Sequence, residues 1–104
     1  MFGKKKKDEE NVSLAKDRIR IDTMQNSDEF ARDIIYDIKN GKPCVLNFQS
    51  LGEDAGNKML AFLEGATVAL EGKIIRINEY TYLFAKKEEF IDGSLREWVN
   101  NIPR

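Results

Sequence analysis

Hydrophobic and polar positions follow two different rhythms along this chain. Arg18 to Ile21 reads Arg-Ile-Arg-Ile, a period of two that predicts a half-buried strand with Ile19 and Ile21 inward. Phe30, Ala31, Ile34, Ile35 and Ile38 then form an apolar arc of helical spacing that Asn40-Gly41 closes. Asn26 or Ser27 supplies the cap, and Asn26 with Glu29 has capping-box spacing. Pro43 sets an extended start for Cys44-Val45-Leu46-Asn47-Phe48, apolar on both faces apart from Asn47, as a central strand requires. A second helix is expected from about Glu53 to Glu64, with acids in its first turn and Gly65 as its stop. Val68-Ala69-Leu70, Glu71-Gly72 and Ile74 to Ile77 read as a hairpin, and Asn78-Glu79 turns into a strand from Tyr80 to Phe84. Ser94 and Glu97 have capping-box spacing for a short last helix in which Leu95, Trp98 and Val99 share a face, ending before Pro103.

The resulting order, β-α-β-α-β-β-β-α, predicts an α+β two-layer sandwich over residues 17–104: two main helices on a roughly five-stranded sheet, plus a short C-terminal helix. Residues 1–16, with KKKKDEE and little apolar content, read as a flexible tail, because ordering them would cost chain entropy with almost no burial to offset it.

Composition narrows the function more than the fold. Eighteen acidic and seventeen basic residues leave a net charge of −1, so no global field draws the chain to nucleic acid or lipid. Histidine is absent, and no phosphate-cradling glycine loop or nucleophile elbow occurs, which argues against an enzyme and implies no cofactor and no metal. The carboxylate pairs Glu53-Asp54 and Glu88-Glu89 read as solvated or dipole-matched charge. The lone Cys44 reads as a small buried thiol and suits a reducing cytoplasm. No apolar run reaches the roughly 18 residues needed to cross a bilayer, and Met1-Phe2-Gly3 lacks a secretory apolar segment, so the chain is expected neither to span a membrane nor to be exported.

Two surfaces ask for a partner. On the second helix, Phe62, Ala55, Ala66, Met59, Leu63, Gly56 and Leu60 spread over roughly 160°, wider than the ~100° of one core stripe. Either this helix is wedged deeply or one flank meets a second molecule. Lys58 beside Phe62 would suit an apolar peptide that carries a carboxylate. In the last strand Tyr80, Tyr82 and Phe84 oppose Leu83, so both sheet faces carry apolar mass, and self-association is the simplest cover.

From Phe30 to Phe84 the order of short motifs resembles the SepF family: a buried strand ending Asn47-Phe48-Gln49, a helix ending Phe62-Leu63-Glu64-Gly65, then a hairpin. SepF proteins are peripheral-membrane cell-division proteins that tether the tubulin-like polymer protein FtsZ to the cytoplasmic membrane. The resemblance implies a homodimer, with sheet-mediated and helix-mediated contacts both described for the fold. The patches read from the residues match that pattern: Lys58, Met59, Phe62 and Leu63 are expected to bind the FtsZ tail, and Leu60, Tyr80, Tyr82 and Phe84 to form the dimer interface. The resemblance also implies membrane contact through Met1, Phe2, Lys4, Lys5, Lys6 and Lys7, and a cytoplasmic place on the inner face of the membrane at the division site. Two departures stand out. The usual N-terminal amphipathic helix is reduced here to Met1-Phe2-Gly3 and lysines, which either insert or remain solvated; and Glu71-Gly72 occupies a position where many members have a glycine pair. The competing reading is a small RNA- or single-strand-binding domain, with Tyr80, Tyr82 and Phe84 as stacking platforms and Arg18, Arg20 and Arg76 on phosphates.

Overall fold

A computed structural model describes residues 13–103; Met1, Phe2 and Lys4 to Lys7, the expected membrane contacts, lie outside them. Four strands form one sheet, β1 (Arg20–Thr23), β2 (Cys44–Asn47), β3 (Gly72–Arg76) and β4 (Thr81–Lys86), in the spatial order β1-β2-β4-β3. β1 lies parallel to β2, and β4 runs antiparallel to both of its neighbours. Parallel strands need a crossover, which helix α1 (Asp28–Lys39) provides, while helix α2 (Gly52–Ala69) carries the chain from β2 to the far edge. A seven-residue helix, α3 (Ser94–Asn100), closes the fold.

Helix α1 keeps the expected boundaries for identifiable reasons. Ser27, rather than Asn26, is the cap, its hydroxyl accepting from the Phe30 N–H at 3.1 Å. At the other end Gly41 takes φ +88°, which lets its own N–H reach the Ile38 carbonyl at 3.1 Å and the Lys42 N–H reach the Asp37 carbonyl at 2.9 Å.

The expected fifth strand is absent because Gly65 does not stop α2. The helix runs on to Ala69, and Val68-Ala69-Leu70 forms its last turn instead of a strand. A glycine inside a helix costs about 1 kcal/mol relative to alanine. That is offset here by burying Thr67, whose hydroxyl bonds the Leu63 carbonyl at 2.7 Å, and by packing Leu70 on the core. The true break follows at Glu71, which takes φ +60°, and at Gly72. A Cβ on Gly72 would lie 2.5 Å from the Ala85 carbonyl oxygen and 2.8 Å from Thr67 Cγ2, so this crossing of helix end and strand has no room for a side chain. The hairpin therefore joins β3 to β4 through residues 77–80.

The layering also departs from a two-layer sandwich. Helices α1 and α2 cover one sheet face with a core of Met24, Ile34, Ile38, Cys44, Leu46, Phe48, Met59, Leu63 and Phe84. The other face carries Val45, Ile77, Leu83 and Ala85, and the chain covers it with Ala15, Leu95 and Val99 from short segments. Ser13 to Lys16, expected in the tail, belong to this third layer through a 3₁₀ turn (Ala15–Arg18). Polar contacts fasten that turn. The Ala15 N–H donates to Asp92 Oδ2 at 2.9 Å, the Lys16 N–H to Ser94 Oγ at 3.0 Å, and Arg18 pairs with Glu89. Ser94 is thus spent on the strap rather than on capping its own helix; Asp92 Oδ1 accepts from the Ser94 N–H at 2.8 Å instead. The cover stops short of the β1 edge. There Ile19 is half-buried, but Ile21, expected inward, is 68% exposed.

Candidate functional site

Helix α2 organises the surface that matters. Gly56, Met59, Leu63 and Thr67 form its buried stripe, so Met59 and Leu63, read from the sequence as tail-binding, are core residues that no peptide reaches. Phe84, read as a dimer contact and as a stacking platform, is likewise enclosed by its own chain. Both errors share one cause: a wide apolar arc and a two-faced strand look alike whether a partner or the same chain covers them.

Two flanks of α2 remain. On a helical wheel Phe62 and Lys58 fall on one side of the buried stripe, and Leu60, Asn57 and Glu53 on the other. Phe62 is 48% exposed, and Lys58 beside it is exposed and free of ion pairs among the described residues. On the opposite flank Leu60 joins Tyr80 and Tyr82, which were expected at a dimer contact, in lining a groove of about 460 Å³. Phe48 forms part of its lining and meets Tyr82 edge-on at 5.8 Å. The far wall is a well-tied turn: Asn78 Oδ1 accepts from the N–H groups of Tyr80 and Thr81 at 3.1 and 3.0 Å. Arg76 lies over the Tyr82 ring at 5.9 Å and donates to the carbonyls of Asn78 and Glu79. Sequence reasoning used Arg76 only in the RNA reading and missed Gln49 and Glu79 as lining residues. The signal for the tied turn was present, since Asn78 two residues before Tyr80 is an Asx-turn pattern.

The other chemistry-bearing residues are structural. Arg20 is held by Asp22, Asp33 and Asp37 at 2.7–3.1 Å and lies over the Phe30 ring, and the hydrogen bond it donates to Asp33 does most to raise its pKa. Burial pushes the Cys44 thiol up to about 12, which leaves it unreactive. Asn47 ties strand ends together, donating to Thr81 Oγ1 at 3.1 Å and accepting from the Gln49 N–H at 2.9 Å. The RNA reading loses its parts: Arg18 and Arg20 are committed to carboxylates, Phe84 is buried, and only Tyr80 and Arg76 stay open. No helix among the described residues is long and apolar enough to cross a membrane.

The model of the cell division protein SepF family matches residues 19–88, more than half of the chain. The chain belongs to the SepF family. Relatives named cell division protein SepF are similar to it. The one from Carboxydothermus hydrogenoformans is 38% identical over 59% of this chain and 44% of its own length. That from Alkaliphilus oremlandii is 32% identical over 70% of this chain and 50% of its own length, and that from Thermoanaerobacter pseudethanolicus 31% over 71% and 54%. The chain thus spans about half the length of the SepF relatives it matches. The matched region takes in the whole sheet, α1 and α2, and therefore both flanks of α2; α3 falls outside it.

Proposed function

We propose that this chain is a non-catalytic division adaptor: a homodimer that binds the C-terminal tail of FtsZ and holds it at the inner face of the cytoplasmic membrane. The observation that carries the reading is Phe62, a large aromatic left 48% exposed beside a lysine with no ion pair among the described residues, in a chain of a cell-division family. An apolar tail residue packs on Phe62, and a carboxylate on the same tail meets Lys58. Membrane attachment falls to Met1, Phe2 and Lys4 to Lys7. Each lysine near anionic lipid contributes about 1 kcal/mol, and Asp8, Glu9 and Glu10 offset part of it. Pairing of two copies uses the outward face of the last two turns of α2, where Gly65, Val68 and Ala69 are exposed and the small Gly65 lets two helices approach closely. Two tail sites facing a polymer with many tails convert weak single contacts into firm attachment through effective concentration.

Calorimetric titration with an FtsZ tail peptide tests the core of this reading. Phe62→Ala should weaken binding by roughly 1–3 kcal/mol, the range of a moderate to strong interface anchor. Lys58→Glu should weaken it at low salt and lose its effect as salt is raised. A folded Phe62→Ala protein with undiminished affinity would remove this flank as the tail site.

A further inference from the structure

We infer that the groove on the opposite flank of α2 is the second half of the tail site, and that Arg76 there takes a carboxylate of the same peptide; this rests on the tail-binding reading above. The guanidinium is fixed before any ligand arrives. Its Cζ lies 5.9 Å from the Tyr82 ring centroid, Nε donates to the Asn78 carbonyl at 3.1 Å and Nη2 to the Glu79 carbonyl at 3.2 Å, and Nη1 has no partner among the described residues. A planar donor held on a rigid turn with an open edge loses little freedom on meeting a carboxylate. The groove beside it has room for an apolar side chain against Leu60, Tyr80 and Tyr82, and on the helix side Gly52 opens onto empty space. Glu53 and Glu79 also line the groove, and neither pairs with Arg76. They select against a polyacidic strand, so the occupant is a mainly apolar segment with a single carboxylate at the arginine.

Both halves fit one peptide. The surface of a helix about 10–12 Å across takes roughly 20 Å of chain to round from Phe62 to the groove, about six extended residues. Lys58 lies on that path.

The test is a cycle of two proteins and two peptides. The FtsZ tail peptide, and the same peptide with every carboxylate converted to an amide, are titrated into the wild-type chain and into Arg76→Gln, with Arg76→Lys, Tyr80→Ala and Phe62→Ala alongside. Arg76→Gln should bind the native peptide about tenfold more weakly, as loss of a charge-assisted hydrogen bond does. The amidated peptide should no longer distinguish Arg76→Gln from wild type, Arg76→Lys should recover only part of the loss, and Tyr80→Ala should weaken both peptides. Equal binding by Arg76→Gln and wild type, with Phe62→Ala still impaired, overturns the groove and leaves the tail reading standing. A tenfold loss that persists with the amidated peptide shows that Arg76 acts through the turn and also overturns it. Absence of tail binding by the wild-type chain overturns both. Arg76→Gln impaired with Phe62→Ala unaffected keeps the groove and removes the Phe62 flank.

Discussion

The two faces of the sheet are covered by different kinds of structure. On one, α1 and α2 lay long apolar stripes over Cys44, Leu46 and Phe84, and side-chain packing supplies the adhesion. On the other, a 3₁₀ turn, a second 3₁₀ turn at Lys87–Phe90 and a seven-residue helix bury Ala15, Leu95 and Val99, with Phe90, Trp98 and Ile102 half-buried against them. Hydrogen bonds donated by the Ala15 and Lys16 N–H groups to Asp92 and Ser94, with the Arg18–Glu89 pair, hold that cover in place. The lesson is that a sheet face can be closed by fastening as well as by packing. The fastened face should open first.

The most severe way to break the comparison is Phe84→Ala, which empties the middle of the packed face. It should cost about 3–5 kcal/mol and lower the melting temperature of the whole domain. Leu95→Ala should cost about 2–4 kcal/mol, but hydrogen exchange should place its damage in residues 13–19 and 87–102 before the helices respond. Uniform loss of protection in both variants would show that the two faces form one cooperative unit. Next comes the seam between α2 and β3. Gly72→Ala forces a methyl against the Ala85 carbonyl and should cost about 1–3 kcal/mol, whereas Glu71→Gly removes the left-handed penalty and should raise stability by about 1 kcal/mol. A destabilised Glu71→Gly protein would mean that the Glu71–Lys87 ion pair at 3.3 Å outweighs the backbone gain.

Smaller effects sharpen the fastened side. Ser94→Ala removes the acceptor of the Lys16 N–H and should cost about 1 kcal/mol, with faster exchange confined to the strap. The smallest effect is acid release of Asp92. Hydrogen bonds from the Ser94 and Ala15 N–H groups hold its carboxyl below the usual range, so its stabilising contribution is present above the unfolded value of about 3.9 and lost as pH falls through the lower folded value. Exchange at Ala15 should therefore accelerate in that acid window before α1 and α2 are affected, and Asp92→Asn should flatten the response.

What was legible in the sequence followed local chemistry. Ser27, Asn40-Gly41 and the five-residue arc defined α1; Pro43 and an unbroken apolar run defined β2; and the order from Phe30 to Phe84 was enough to point to the family. The misreadings required knowledge of what lies across space. Gly65 looks like a stop until Thr67 and Leu70 are seen to gain a core by continuing the helix. Ile21 alternates like an inward residue but sits on an edge strand beyond its cover. Met59, Leu63 and Phe84 are apolar on elements that also carry surface residues, and only assembly of the sheet under α2 separates the two sets. The groove was hidden for the same reason, since Phe48, Leu60 and Arg76 come from separate elements.

The parallel pairing of β1 with β2 has a mechanical consequence. Any pull on the chain ahead of Ser13 enters through the strap and then β1, whose bonds to β2 begin with the Arg20 N–H on the Pro43 carbonyl and end with the Met24 N–H on the Asn47 carbonyl, each at 2.8 Å. Drawn along the strand, these bonds are loaded in shear and share the force instead of unzipping one by one. The Asp92 and Ser94 contacts lie upstream and yield first, so the strap works as a shock absorber in front of a stiff attachment.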